Sequence, residues 1–212
     1  TSDSFTREAI LQNLSAGGDD HAKALADQFI TENVTFHKVE ELGVPVDLLN
    51  LQYPSVPETK RKIIDAIVSA HIQNMGKVQK AALRTGISDL MENQSINMID
   101  LYERLTDSSM SDSLVMQFED MLSCFLEYDS SDRSWDEFFD DSKGIIVIST
   151  DAVSCSSGSA LVDMLLMSLF YAQRNNPTQH IAVFIDEIQN QNFSPNGAIS
   201  QILKEGRKYH IS

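Results

Sequence analysis

Between residues 143 and 212 the apolar residues fall into two short runs with one long run between them, and few architectures accept that pattern. KGIIVIST (143–150) is β-branched after Gly144 and lacks polar alternation, the texture of a strand buried on both faces of a parallel sheet. SGSALVDMLLMSLFYAQRN (157–175) has helical spacing, with Leu161, Leu165, Leu169 and Ala172 among its inward positions, and Pro177 closes it. HIAVFIDE (180–187) is a second buried-strand pattern. SPNGAISQILKEGRKYHIS begins a helix near Pro195 and reaches a strand start at Tyr209. Strand, helix, strand, helix, strand with short links predicts an α/β fold: a parallel sheet with right-handed crossovers and helices packed on it.

The upstream half reads differently. Residues 19–32 have helical spacing, with Ala22, Leu25, Ala26 and Phe29 on one face, and VTFHKV (34–39) alternates as a strand with Val34, Phe36 and Lys38 on one side. GVPVDLLNLQYPSVP (43–57) is an extended connector, because Pro45, Pro54 and Pro57 forbid a continuous helix. From 57 to about 129 the pattern predicts four helices joined by short polar turns. The first carries Ile63, Ile64, Ile67, Ala70 and His71 on one stripe. Ser95 caps the third, and Asp112 or Ser113 the fourth. EYDSSDRSWDEFFDDS (127–142) sets seven carboxylates against Arg133 and reads as a solvated acidic turn anchored by Trp135, Phe138 and Phe139. The organisation expected is a core segment at 1–56, an all-α insertion at 57–129, an acidic linker at 130–142 and a second core segment at 143–212.

With 212 residues, 42% of them hydrophobic, the chain can bury a sizeable core. No apolar stretch approaches the ~20 residues of a membrane span, and no secretory signal is visible. Cys124 and Cys155 have no metal-ligand spacing, and the expected compartment is a reducing cytoplasm. A net charge of -15 argues against a broad nucleic-acid-binding face on this stretch of chain.

In an open parallel sheet, ligands bind beyond the carboxyl ends of the strands. IAVFIDEIQN ends its apolar run on Asp186 and Glu187, which is where an acidic pair serving phosphate chemistry belongs. Asp186 suits the Mg²⁺ shell, since hard cations take carboxylate oxygens. Glu187 suits the orientation and deprotonation of a water that attacks a γ-phosphate. Strands also end on acidic residues where the chain simply reaches solvent.

VFIDEIQN resembles the Walker B strand of P-loop NTPases. ILKEGRKYHIS resembles the helix-to-strand segment that follows Walker B in the HerA/FtsK group of DNA-pumping ATPases, and residues 143–175 resemble the strand and helix that precede it. GVPVDLLNL and the helical stretch are similar to the insertion those ATPases carry between core strands. The resemblance implies a RecA-like core, ATP and Mg²⁺ as cofactors, a homo-oligomer such as a hexameric ring, and DNA as the partner, in DNA processing, conjugation or DNA-targeting defence. It implies Arg207 as a charge-stabilising arginine near a nucleotide and Asn190 as a polar sensor on the nucleotide side. A basic residue in the last turn of a helix is the other reading of Arg207, one that Lys204 and Lys208 fit equally. The P-loop itself, GxxxxGKS/T, is absent: Gly17-Gly18 is followed by Asp19, and Gly76-Lys77 by Val78. The expectation is an internal fragment of a larger ATPase, inactive by itself, with the loop upstream of Thr1. A non-catalytic scaffold whose helical segment docks a partner protein is the alternative. A metal-dependent nuclease using the carboxylates at 127–141 is a third.

Other residues read more plainly. His180 and His210 suit packing or surface positions, and His71 a core or interface one. The methionines at 91, 98, 110, 116 and 121 suit core gap-filling, and Cys155 has no assignable catalytic partner. Lys60, Arg61 and Lys62 are a small phosphate-contact patch or, more plainly, a solvated helix start.

Overall fold

The computed structural model describes residues 11–12, 20–50, 56–72, 75–91, 97–106, 112–150, 153, 155–177 and 179–212. Gly17, Gly18, Asp19, Pro54, Ser95 and Met110 lie outside the described residues, as do the side chains of Pro57, Ala70, Met91, Ser113 and Cys155. The order is α1 (Asp20–Asn33), β1 (Val34–Lys38), α2 (Val39–Leu42), α3 (Val56–His71), α4 (Lys77–Met91), α5 (Met98–Thr106), α6 (Asp112–Glu127), α7 (Trp135–Asp140), β2 (Ile145–Ser149), α8 (Cys155–Asn175) and α9 (Ala198–Glu205). The fold is mixed α/β. β1 and β2 pair in parallel, in register from Val34 against Ile145 to Lys38 against Ser149. Parallel strands need a long crossover, and here the crossover contains the whole helical segment α3–α6.

α8 is the hub. Leu161, Leu165 and Leu169 are buried as expected and Ala172 is half-buried, and almost every residue from Ala160 to Tyr171 is buried with them. The reason is that α3, α6 and α9 all pack on it, and a helix covered by several neighbours is apolar nearly all round. The four expected helices are present as α3–α6, with Ile63, Ile64, Ile67, Leu101, Phe118 and Leu122 fully buried among them. Met98 and Met121 fill the core as expected, whereas Met116 is exposed. Asn97 caps α5: its Oδ1 accepts from Ile99 and Asp100 N–H (2.9 Å each), while Asp100 Oδ2 accepts from Asn97 N–H (3.1 Å). The Lys60–Lys62 stretch is a solvated helix start, with Lys62 paired to Glu58 at 2.8 Å. Burial pushes the Cys124 thiol up to about 12, which leaves it unreactive at neutral pH.

Three expectations about burial are corrected. β2 is half-exposed rather than covered on both faces, since β1 alone pairs with it among the described residues. The apolar face of α1 is not buried: Leu25 and Phe29 are exposed, and Ile30 is the buried residue of that helix. The acidic linker is not a simple turn. Ser134 and Glu137 form a reciprocal capping box that starts α7, and α7 inserts Trp135 and Phe138 into the core.

The connector after β1 does more than link. Val44, Val46, Leu48 and Leu49 are fully buried, and the stretch is laced to residues 129–133. Val44 N–H donates to the Asp129 carbonyl (2.8 Å), Ser131 N–H to that of Val44 (3.0 Å), and Asp47 N–H to that of Arg133 (2.9 Å). A buried relay ties it to the hub: Trp135 Nε1 donates to Ser168 Oγ (3.1 Å), which donates to the Leu48 carbonyl (2.8 Å). Ser168→Ala strands both partners away from water, so a loss of about 1–3 kcal/mol is expected, read from urea unfolding. A loss inside experimental error would refute the relay.

Asp47 Oδ1 accepts from Leu49 N–H at 2.9 Å. Burial nevertheless pushes the Asp47 carboxyl above its usual range, outweighing that hydrogen bond and the pull of Lys60. A folded-state value above the unfolded one means the native state binds more protons, so this contribution is present at low pH and fades as pH rises. Relative to Asp47→Asn, the wild type should therefore lose stability from the ordinary aspartate range (about 3.9) towards neutrality. Stability curves of the two proteins against pH check this, and a gap that moves the other way refutes it.

Candidate functional site

Residues 181–185 do not form the buried strand expected of them. Ile181 makes a single parallel bridge with Ile211, built from Ile181 N–H to the His210 carbonyl (2.8 Å), Ser212 N–H to that of Ile181 (3.0 Å) and Val183 N–H to that of Ser212 (2.8 Å). The parallel pairing is there, but Phe184 is 93% exposed, while Ile181, Val183 and Ile185 are half-buried against the core. Burial on both faces needs neighbours on both sides, and only one face is covered by the described residues.

Asp186 and Glu187 follow directly and are both exposed. Asp186 Oδ1 accepts from Glu187 N–H at 2.9 Å. Glu187 has φ 48° and ψ 39°, left-handed backbone that a glutamate rarely adopts. Its carbonyl accepts from Asn190 N–H (2.8 Å), and its Oε2 accepts from Asn190 Nδ2 (3.0 Å). Ser159 Oγ, near the start of α8, donates to the Asn190 carbonyl at 3.1 Å. A sharp turn of 3₁₀ character, Ile188–Asn190, thus presents two neighbouring carboxylates to solvent, one of them oriented by a side-chain amide. Two adjacent oxygen donors fit Mg²⁺, which takes one or two carboxylates and keeps several waters. A triphosphate does not fit these residues alone, because the sequence carries no phosphate-cradling loop.

Arg207 lies in the 3₁₀ turn Gly206–Tyr209 after α9 and is exposed. The strand start expected at Tyr209 is this turn instead, and pairing begins at Ile211. Gly206 is buried beneath the turn, and Ile211 N–H donates to its carbonyl at 3.0 Å. Glu187, Asp186 and Asn190 are therefore brought together, but no ion pair or hydrogen bond joins Arg207 to them among the described residues. The imidazoles of His180 and His210 stack at 4.2 Å on the surface.

The carboxylate that the sequence reading missed is Asp163, on α8 and 2% exposed. Its Oδ1 accepts from Ala198 N–H (2.8 Å), and its Oδ2 from His71 Nε2 (3.0 Å) and Asn192 Nδ2 (3.4 Å). Nothing local signals this role, since its partners are 29 to 92 residues away in sequence. Among the described residues no group of three or more His, Cys, Asp or Glu is arranged to hold a metal, and no helix is long and apolar enough to cross a membrane. No protein-family model matches the chain, and no curated protein matches it.

Proposed function

We propose that this chain is part of an ATP-hydrolysing motor of the HerA/FtsK-like kind, one that moves DNA as a homo-oligomeric ring. The observation that carries the reading is the acidic turn. Asp186 and Glu187 stand at the carboxyl end of an extended apolar segment that pairs in parallel with the chain after α9, and Asn190 orients the Glu187 carboxylate. Glu187 is the base that takes a proton from the attacking water, Asp186 lies on the magnesium side and Asn190 serves as the polar sensor. Arg207 reaches charge at a subunit boundary, which accords with its exposure. Mg²⁺ supplies charge neutralisation at the phosphates when bound. The phosphate cradle comes from residues other than these, and a cytoplasmic place in a DNA-processing, conjugation or DNA-targeting defence system belongs to the same proposal.

Missing phosphate-binding chemistry favours one competing reading, a scaffold derived from such an ATPase, with α3–α6 as its docking surface for a protein. ATP hydrolysis by the parent protein, with and without DNA, separates the two. A motor hydrolyses ATP and gains about 2.7 kcal/mol of stability at a nucleotide concentration of 100 Kd. A parent that neither hydrolyses nor is stabilised is a scaffold.

A further inference from the structure

We propose that Asp163 and His71 are positioning residues that hold the 188–207 segment in register with the rest of the fold. The claim about rate rests on the ATPase reading above, whereas the coupling itself does not. The first turn of α9 has no cap of its own, because its N-cap is Gly197, which offers no side chain. The N–H of buried Ala198 would stand unpaired away from water, an arrangement native structures avoid. Asp163 takes that N–H from across the core, and a carboxylate at a helix N-terminus is also favoured by the helix dipole.

The same carboxylate takes Asn192 Nδ2, and Asn192 Oδ1 accepts from Ser194 N–H at 2.9 Å, which shapes the approach to Pro195. One buried group therefore sets both the loop that leaves Asn190 and the start of α9. α9 is eight residues long, a rod of about 12 Å, with Gly206 and Arg207 at its far end. Any tilt at Ala198 is carried to Arg207. The remaining donor, His71, is the last residue of α3, the first helix of the helical segment. The His71–Asp163 hydrogen bond thus fastens the helical segment to the loop and helix that follow the acidic turn. Whatever displaces the end of α3 disturbs that loop.

Hydrogen exchange on this chain and turnover by the parent protein test the proposal together. In His71→Leu the amides of 188–205 should exchange about tenfold faster while those of α4 keep their wild-type rates. His71→Gln retains a side-chain N–H donor and should restore wild-type protection. In the parent, His71→Leu should lower kcat about tenfold with the KM for ATP within about twofold, and His71→Gln should restore it. Wild-type exchange at 188–205 in His71→Leu overturns the coupling, as does a glutamine variant that behaves like the leucine one. Accelerated exchange with unchanged kcat overturns the positioning role. If the wild-type parent turns over no ATP, the ATPase reading falls, and the exchange data alone decide the coupling.

Discussion

Gly43→Ala should destabilise the protein by about 3–5 kcal/mol, among the largest effects a single methyl can have. Gly43 sits at φ 78° and ψ -172°, a region that glycine alone adopts readily and where an L-residue is strained by about 1–3 kcal/mol. The larger cost is steric. A Cβ there would stand 2.2 Å from the Asp129 carbonyl oxygen and 3.0 Å from its carbon, both of them backbone. That oxygen cannot retreat freely, because it accepts Val44 N–H at 2.8 Å in the lacing between the connector and residues 129–133. The Gly43 carbonyl is committed as well, since it accepts from the buried His37 Nε2 at 2.8 Å. Relief therefore requires the two backbones to part, with loss of the Val44–Ser130 bridge and of the packing of Val44 and Val46. For a chain of this length the melting temperature should fall by about 10 °C. Gly144→Ala is the matched control: no atom lies within 4 Å of its added methyl, and a change within about 0.5 kcal/mol is expected. Equal effects at the two positions would show that the connector does not approach residue 129 as described.

On the ATPase reading proposed above, Glu187→Gln should lower the kcat of ATP hydrolysis by about 10²–10⁴-fold while leaving nucleotide binding intact. The substitution is isosteric, and a glutamine carbonyl can still accept from Asn190 Nδ2, so the turn keeps its 3.0 Å contact. What disappears is the negative charge and the ability to take a proton from water. An unchanged KM beside a collapsed kcat is the signature of an interaction made in the transition state. The left-handed backbone at Glu187 sharpens the comparison, since neither residue is better suited than the other to φ 48° and any change in turnover reports chemistry rather than relief of strain. A variant that turns over at the wild-type rate would remove Glu187 from the chemistry and leave the acidic pair as the solvent-facing end of an extended segment.

How far the sequence could be read depended on the range of the forces concerned. Helical periodicity is local, so α3–α6 and α8 were legible from Ile63, Ile64, Ile67 and the Leu161–Leu165–Leu169 stripe. The alternation at 34–39 and the β-branched run at 143–150 announced strands for the same reason. α7 was not read, although Ser134 and Glu137 stand at capping-box spacing, because the seven carboxylates of 127–142 suggested a solvated turn. The acidic pair at 186–187 stood out because a run of apolar residues ended on it abruptly. Burial was harder to read. Phe184 looks like a core residue by type, and Leu25 and Phe29 form an apolar face, yet a side chain is buried only if another element arrives to cover it, and no local pattern specifies that.

What the sequence determined by itself is the kind of most elements and the chemistry they carry: helices by spacing, the strands β1 and β2, and two carboxylates at the end of an apolar run, though not the extended path of 181–185 or the turn at Tyr209. Tertiary structure alone decided which of those groups meet. The His71 imidazole, the Asp163 carboxylate and the Ala198 amide converge only because α3 and α9 both pack on α8. The clash at Gly43 exists only because the Asp129 carbonyl oxygen passes within 2.2 Å of where its Cβ would stand. The physical reason is common to both. Propensity acts over one or two turns of chain, whereas burial, clash and the partnering of a buried polar group depend on residues that become neighbours only when the chain has folded.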